Sequence, residues 1–364
     1  MNPRAARLRR IGQSLWLDYI DRGLLDRGEL ARMAEQDGIS GVTTNPTIFE
    51  KAIRTTPAYD AGLASLARQG LAAAAIAERL MIEDVARAAD VLRPTYDATG
   101  GRDGFVSLEV RPSLAHDAEG TFAEATRLFA LVRRPNAMIK IPATREGWEA
   151  IRRATAEGVN INATLIFSRR HYEGVVKAYV EGLAERSRRG RDLRSVASVA
   201  SVFVSRVDTA LDGRLSDPSL QGRAAVANAK AIYAEFRDLL SEEAFRALTA
   251  KGAAIQRVLW GSTGTKNPRY PDTKYVDELV GPDTVNTVPP QTLAAFLDHG
   301  ATESVVGEGL EAARSFLARL ASLGIDLEAA CGKLQDEGVE AFAKSYDSLL
   351  AAIEERRGAL LARA

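Results

Sequence analysis

Lys140 stands in the run Met138-Ile139-Lys140-Ile141-Pro142, with apolar residues on both sides. Taking an ammonium group out of water is costly. Burial therefore favours the uncharged amine, which can attack a carbonyl carbon. A lysine so placed could also snorkel to solvent or pair with an acid. Carbinolamine formation, its dehydration and carbon–carbon cleavage each need a proton moved, so carboxylates must stand near the amine. Asp18, in Leu15-Trp16-Leu17-Asp18-Tyr19, and Glu109, in Ser107-Leu108-Glu109-Val110, are the candidates. Either could equally be one half of a buried ion pair with an arginine. Asn45, Asn162, Thr164 and Ser201 could hold hydroxyls or position a water, or simply satisfy backbone groups at strand ends. A phosphate needs donors. Arg206 offers them, as do Ser262 and Lys266 in Gly261-Ser262-Thr263-Gly264-Thr265-Lys266, a loop without Walker spacing.

Other chemistries find little support. His116, His171 and His299 are far apart and lack metal-binding spacing, so they read as surface or capping residues and no metal is expected. Cys331, the single cysteine, reads as a small packed hydrophobe in a helical tail. It can form no intramolecular disulfide, which fits a reducing, cytoplasmic setting. The arginines between 186 and 191 read as a solvated helix end. The basic start (Arg4, Arg7, Arg9, Arg10) is followed by too short an apolar stretch, broken by Asp18, for a signal peptide. Basic and acidic residues balance at 48 each, which argues against nucleic acid or a membrane surface as partner. No apolar run approaches the length of a membrane span.

The elements that must position these residues follow from periodicity. Eight short apolar segments rich in β-branched residues fall at 15–20, 39–45, 104–110, 137–142, 160–167, 196–204, 257–262 and 284–288. Amphipathic, helical stretches separate them. Eight strand–helix repeats predict an α/β protein with a parallel sheet, and eight is the number that closes a (β/α)8 TIM barrel. An open doubly wound sheet is the rival, weakened because no Gly-x-Gly-x-x-Gly follows the first strand. Side chains alternate along a strand. Lys140 thus shares a face with Met138, and Glu109 with Ser107. Asn162 and Thr164 share another, as do Ser201 and Phe203. Late polar positions of this kind converge at the C-terminal mouth of a barrel. Hydrophobic residues make up 46% of the 364, enough for a sizeable core. A barrel needs roughly 250 residues. The surplus falls at 59–92, at 219–251 and in a tail from about 301 that reads as two long helices broken near Gly324. With no linker in view, 1–364 reads as a single domain whose tail supplies cover helices, a lid or a subunit contact.

Six of these segments resemble the transaldolase family, in the family's order. They are Gly41-Val42-Thr43-Thr44-Asn45-Pro46-Thr47-Ile48-Phe49, Val106-Ser107-Leu108-Glu109-Val110 and Met138-Ile139-Lys140-Ile141-Pro142-Ala143-Thr144. With them come Asn160-Ile161-Asn162-Ala163-Thr164-Leu165-Ile166-Phe167-Ser168, Ser201-Val202-Phe203-Val204-Ser205-Arg206-Val207-Asp208 and the 260–268 loop. The tail and the Leu15–Tyr19 opening are similar to the longer bacterial subfamily. The resemblance implies a Schiff base on Lys140, a catalytic water held by Glu109 and Thr164, and Asp18 as the acid/base of carbon–carbon cleavage. It also implies donor hydroxyls on Asn45, Asn162 and Ser201, a pocket shaped by Phe203, and phosphate on Arg206, Ser262 and Lys266. Sugar phosphates would be the partners, with no cofactor; no oligomeric state is implied. The reaction would convert sedoheptulose 7-phosphate and glyceraldehyde 3-phosphate to erythrose 4-phosphate and fructose 6-phosphate. Two departures stand out. The strand-seven loop is longer than the compact Ser-x-Arg form, which leaves open which of its cations takes the phosphate. Arg111 stands where an acid is more usual, and could pair with Glu109 or Asp117 or do nothing catalytic. Three rivals remain at this level: a Schiff-base aldolase that releases dihydroxyacetone, a non-catalytic sugar-phosphate binder, and an isomerase, which would need a glutamate–histidine pair.

Overall fold

The apolar runs form strands and the polar residues behind them start helices. In the computed structural model, which describes residues 1–361, the strands are β1 (Gln13–Leu17), β2 (Ile39–Val42), β3 (Val106–Glu109) and β4 (Ala137–Pro142). They continue as β5 (Ile161–Ile166), β6 (Ser198–Phe203), β7 (Gln256–Gly261) and β8 (Thr284–Val288). All neighbours pair in parallel in chain order, and β8 pairs with β1 from Gln13↔Thr284 to Leu17↔Val288. The sheet is therefore the (β/α)8 barrel the sequence predicts, and the open doubly wound alternative is excluded.

Strands end where a side chain caps the next helix. Asn45 Oδ1 accepts the Ile48 amide and starts the helix Pro46–Thr55. Asp117, Thr144 and Ser168 do the same after β3, β4 and β5. This capping corrects the expected bounds of the second strand, which stops at Val42 because Asn45 belongs to a helix start. It also explains β1, which ends before Asp18, with Asp21 capping the short helix Arg22–Asp26.

Two apolar layers hold the barrel. Leu15, Leu17, Val106, Leu108, Ile139, Ile141, Val258 and Trp260 face outward into the main core shared with the helices. Trp16, Phe105, Met138, Val199, Leu259 and Val285 form a separate cluster inside the barrel. Trp16 needs Gly41 beside it, since a Cβ there would lie 2.3 Å from the indole. Two residues beyond each inner-layer residue comes the next inward position: Asp18, Ser107, Lys140, Ser201, Gly261 and Thr287. Period-two alternation thus turns an apolar plug into a polar floor at the C-terminal mouth.

The surplus chain is helical, as expected: Asp60–Arg68, Ala73–Ala98, Ala224–Ser241 and Glu243–Thr249. The tail forms Leu310–Ser322 and Leu327–Leu361, with Gly324 at φ +77° between them. The residues from 301 to 309 are not helical, so the helical tail begins at Leu310. The last helix packs on Pro46–Thr55 and reaches the barrel mouth. Among the described residues no helix is long and apolar enough to cross a membrane.

Candidate active site

Lys140 lies in β4 between Glu109 of β3 and Asn162 of β5, its partners in register. It is only 3% exposed, so the amine is out of bulk water. Its Nζ donates to the Thr44 carbonyl at 3.0 Å and stands 3.5 Å from Glu109 Oε2. It looks into a cavity of about 220 Å³ at the mouth, lined among others by Asp18, Thr43, Asn45, Ser201, Phe203 and Arg206.

Two carboxyls flank the amine. Burial raises the pKa of Asp18, against the lowering effects of the Lys140 charge and a 2.7 Å hydrogen bond from Thr43 Oγ1. Burial also pushes Glu109 up, to about 7, with Lys140 opposing and Asp18 adding to the rise. This has a consequence for stability. Glu109 has a raised pKa when folded and an ordinary one when unfolded. Between about 4.5 and about 7 the unfolded chain has released a proton that the folded chain keeps. Stability is therefore expected to fall as pH rises through that window and to level off above it, a loss of up to about 3 kcal/mol. Glu109→Gln should flatten this slope in urea unfolding at pH 5 and pH 8. An unchanged slope would mean that the folded protein does not hold that proton.

A polar lattice underlies the amine. Asn162 Nδ2 donates to Ser107 Oγ at 2.9 Å, and Ser201 Oγ donates to Asn162 Oδ1 at 2.6 Å. Thr164 Oγ1 and Glu109 Oε2 are buried with no hydrogen-bond partner among the described residues. Asn45 spends its Oδ1 on the helix cap and keeps its amide. Phe203 backs onto Phe167, ring centroids 5.4 Å apart. The next residue after Thr164, Leu165, has φ 59°, and the β5–β6 register shifts there.

The cations gather at one side. Arg206 lies over the Phe203 ring at 5.5 Å, and its pKa is lowered by burial, with Glu337 opposing. Ser262 lines the same cavity at φ 53°, its hydroxyl 3.1 Å from that of Ser205. Lys266 stands at the exposed rim; its pKa is lowered by the protein around it and then by the Arg206 charge. Arg206 and Lys266 form no salt bridge among the described residues. Two cations close enough to repel, without a bound acid, suit an anionic group. Lys266 borders a neighbouring cavity, with Asp208 and Asp212, rather than the one that holds Lys140.

The chain is also similar in sequence to known proteins. Residues 15–353 match the family described as Transaldolase/Fructose-6-phosphate aldolase. The chain belongs to the transaldolase/fructose-6-phosphate aldolase family. It is 47% identical over 350 residues to a protein of Thiobacillus denitrificans named Transaldolase, covering 94% of this chain and 98% of that one. A Transaldolase of Thermobifida fusca is 47% identical over 355 residues, with 96% of each covered. Transaldolase 2 of Nostoc sp. is 42% identical over 364 residues, covering 95% of this chain and 96% of that protein.

In this transaldolase-family barrel the expected site residues gather at the mouth except Lys266, which borders the neighbouring cavity, and some neighbours had no role assigned from sequence. Thr43 bonds Asp18 and lies 2.6 Å from Thr287 of β8, oxygen to oxygen; the inward alternation of both strands could have shown it. Phe342 lines the cavity from the C-terminal helix, and nothing in the tail's pattern signals that. Arg111 corrects an expectation. It pairs with neither Glu109 nor Asp117 but with Glu124, Nε to Oε2 at 2.6 Å, because Glu124 also accepts the Arg111 backbone amide. The histidines lie elsewhere: His116 beside Glu146, His299 beside Asp272 and Asp298, and His171 accepting the Phe167 amide. Cys331 is buried, its thiol pushed up to about 12.

Proposed function

We infer that this chain is a transaldolase, moving a dihydroxyacetone unit from sedoheptulose 7-phosphate to glyceraldehyde 3-phosphate through a Schiff base on Lys140. The observation that carries the reading is a buried amine 3.5 Å from one carboxyl, in a cavity that a second carboxyl, Asp18, also lines.

Lys140 Nζ attacks the ketose carbonyl carbon, and loss of water gives the iminium. Glu109 and Thr164 hold the water that shuttles these protons; Thr164 Oγ1 is buried and unspent, and Glu109 Oε2 faces the amine at 3.5 Å. Asp18 takes the proton of the C4 hydroxyl. The C3–C4 bond breaks, its electron pair moves into the iminium to give an enamine, and the phosphorylated aldehyde leaves. The enamine then attacks the acceptor aldehyde, Asp18 returns its proton, and hydrolysis frees Lys140. Asn45, Asn162 and Ser201 hold the donor hydroxyls, and Phe203 shapes the wall. Arg206, Ser262 and Lys266 hold the phosphate, Lys266 from the rim. Every step is a proton transfer, an addition to a polarised carbon or the reverse of such an addition, so the scheme calls for no cofactor. The single buried Cys331 fits a cytoplasmic setting.

The same lysine and carboxyls would serve an aldolase that releases dihydroxyacetone. Fructose 6-phosphate supplied with and without erythrose 4-phosphate separates the two. Glyceraldehyde 3-phosphate is expected only when the acceptor is present. Equal turnover without acceptor would make the protein a lyase and end the transfer reading.

A further inference from the structure

The C-terminal helix Leu327–Leu361 is fastened to the barrel mouth along one face. Gln335 is buried, and its Nε2 donates to the carbonyls of Ala143, just past β4, and Leu165, in β5, both at 2.9 Å. Cys331 Sγ donates to the Phe167 carbonyl at 3.1 Å. Gly338 lets the helix approach Leu165, since a Cβ there would lie 2.8 Å from Leu165 Cδ2. Thr47 and Ser345 hydroxyls meet at 2.8 Å on the other side of the mouth. Between these fastenings sits Phe342, 5% exposed, its ring centroid 5.8 Å from Lys140 Nζ. Phe342 is the one residue of the C-terminal helix among those lining the Lys140 cavity.

We propose that Phe342 determines the fate of the Lys140 adduct, transfer or release, by keeping proton-donating water from the enamine carbon. The proposal rests on the Schiff-base reading of Lys140. After the first aldehyde has left, the enamine has two outcomes. Its carbon can bond to the acceptor aldehyde carbon, the carbonyl electron pair moving to oxygen, which takes a proton. Alternatively, that carbon takes a proton from an acid or water, which regenerates the iminium. Water then adds to the iminium carbon, the C–N bond breaks, and nitrogen recovers its electron pair as dihydroxyacetone leaves. Both routes end in hydrolysis at the iminium carbon, so they part earlier: release needs a proton on the enamine carbon before an acceptor arrives. An apolar ring beside Nζ offers a proton-donating water no hydrogen bond and occupies its space, and excluding water protects reactive intermediates from proton leakage. The fastenings on both sides hold the ring in place, so exclusion does not depend on a lid closing.

The test compares wild type, Phe342→Ala and Phe342→Leu, each given fructose 6-phosphate with and without erythrose 4-phosphate. Dihydroxyacetone and sedoheptulose 7-phosphate are measured as products. Borohydride trapping with fructose 6-phosphate reports whether Lys140 still forms its adduct. Phe342→Ala should raise release relative to transfer on the order of tenfold, the effect of about 1.4 kcal/mol on one of two competing barriers. Phe342→Leu should fall between Ala and wild type. If Phe342→Ala does not fold, a rise in the Leu variant carries the test. Adduct formation with an unchanged release-to-transfer ratio in the folded variants overturns the proposal. An absent adduct in wild type overturns the reading of Lys140 itself.

Discussion

Lys140→Ala is expected to form no covalent adduct when borohydride is added with fructose 6-phosphate, and to lose activity on the order of 10⁴-fold or more, as when other covalent nucleophiles are removed. Lys140→Arg should behave alike: it restores a cation opposite Glu109 but supplies no nucleophilic amine at neutral pH. The pair of variants separates charge from chemistry. Both should still fold. The barrel is held by its outward apolar layer and by the inner cluster around Trp16 and Met138, neither of which includes Lys140. The carboxyl left behind in Lys140→Ala already has its pKa pushed up to about 7 by burial, so it can take a proton rather than remain a bare charge. Thermal unfolding checks the fold, and intact-mass spectrometry checks the adduct. A trapped adduct in either variant would mean that a different amine does the work.

Asp18→Asn should separate two halves of the reaction. The substitution keeps a group of the same shape beside Thr43, whose hydroxyl bonds Asp18 at 2.7 Å, but removes the base. General base catalysis contributes about 10²–10⁴-fold, so kcat should fall by that order. Adduct formation should persist, because Glu109 still stands 3.5 Å from the amine. A stable adduct that turns over slowly is the signature. Loss of the adduct together with kcat would move Asp18 to Schiff-base formation, and full activity would remove it from the mechanism.

The barrel and most of its mouth were legible in the sequence because a buried strand writes its two faces in alternate letters. Met138 and Lys140, or Val199 and Ser201, announce an apolar plug and a polar group on one face. The strand ends were less legible. Asn45 reads as strand in an apolar run, yet Pro46 and the capping of Ile48 make it a helix start. Thr43, just past β2, and Thr287, on β8, are far apart in sequence, and only barrel closure brings their hydroxyls together. Arg111 could not be placed from local spacing, because its partner Glu124 lies well inside the helix Ala118–Val132 and also holds its backbone. Phe342 was hidden for a further reason. Helical periodicity says which residues share a face, but not which part of the barrel that face will meet.

The layering inside the barrel also sets rules for how this chain can change length. The catalytic letters stand two places after the plug letters, so a single-residue insertion between Met138 and Lys140 would turn the amine toward the helices, where no sugar can reach. Lengthening by two would keep it inward but lift it past its partners in β3 and β5. The loops beyond the mouth have no such metre. Evolutionary drift in length should therefore gather in the connections, while the strand segments keep a fixed beat.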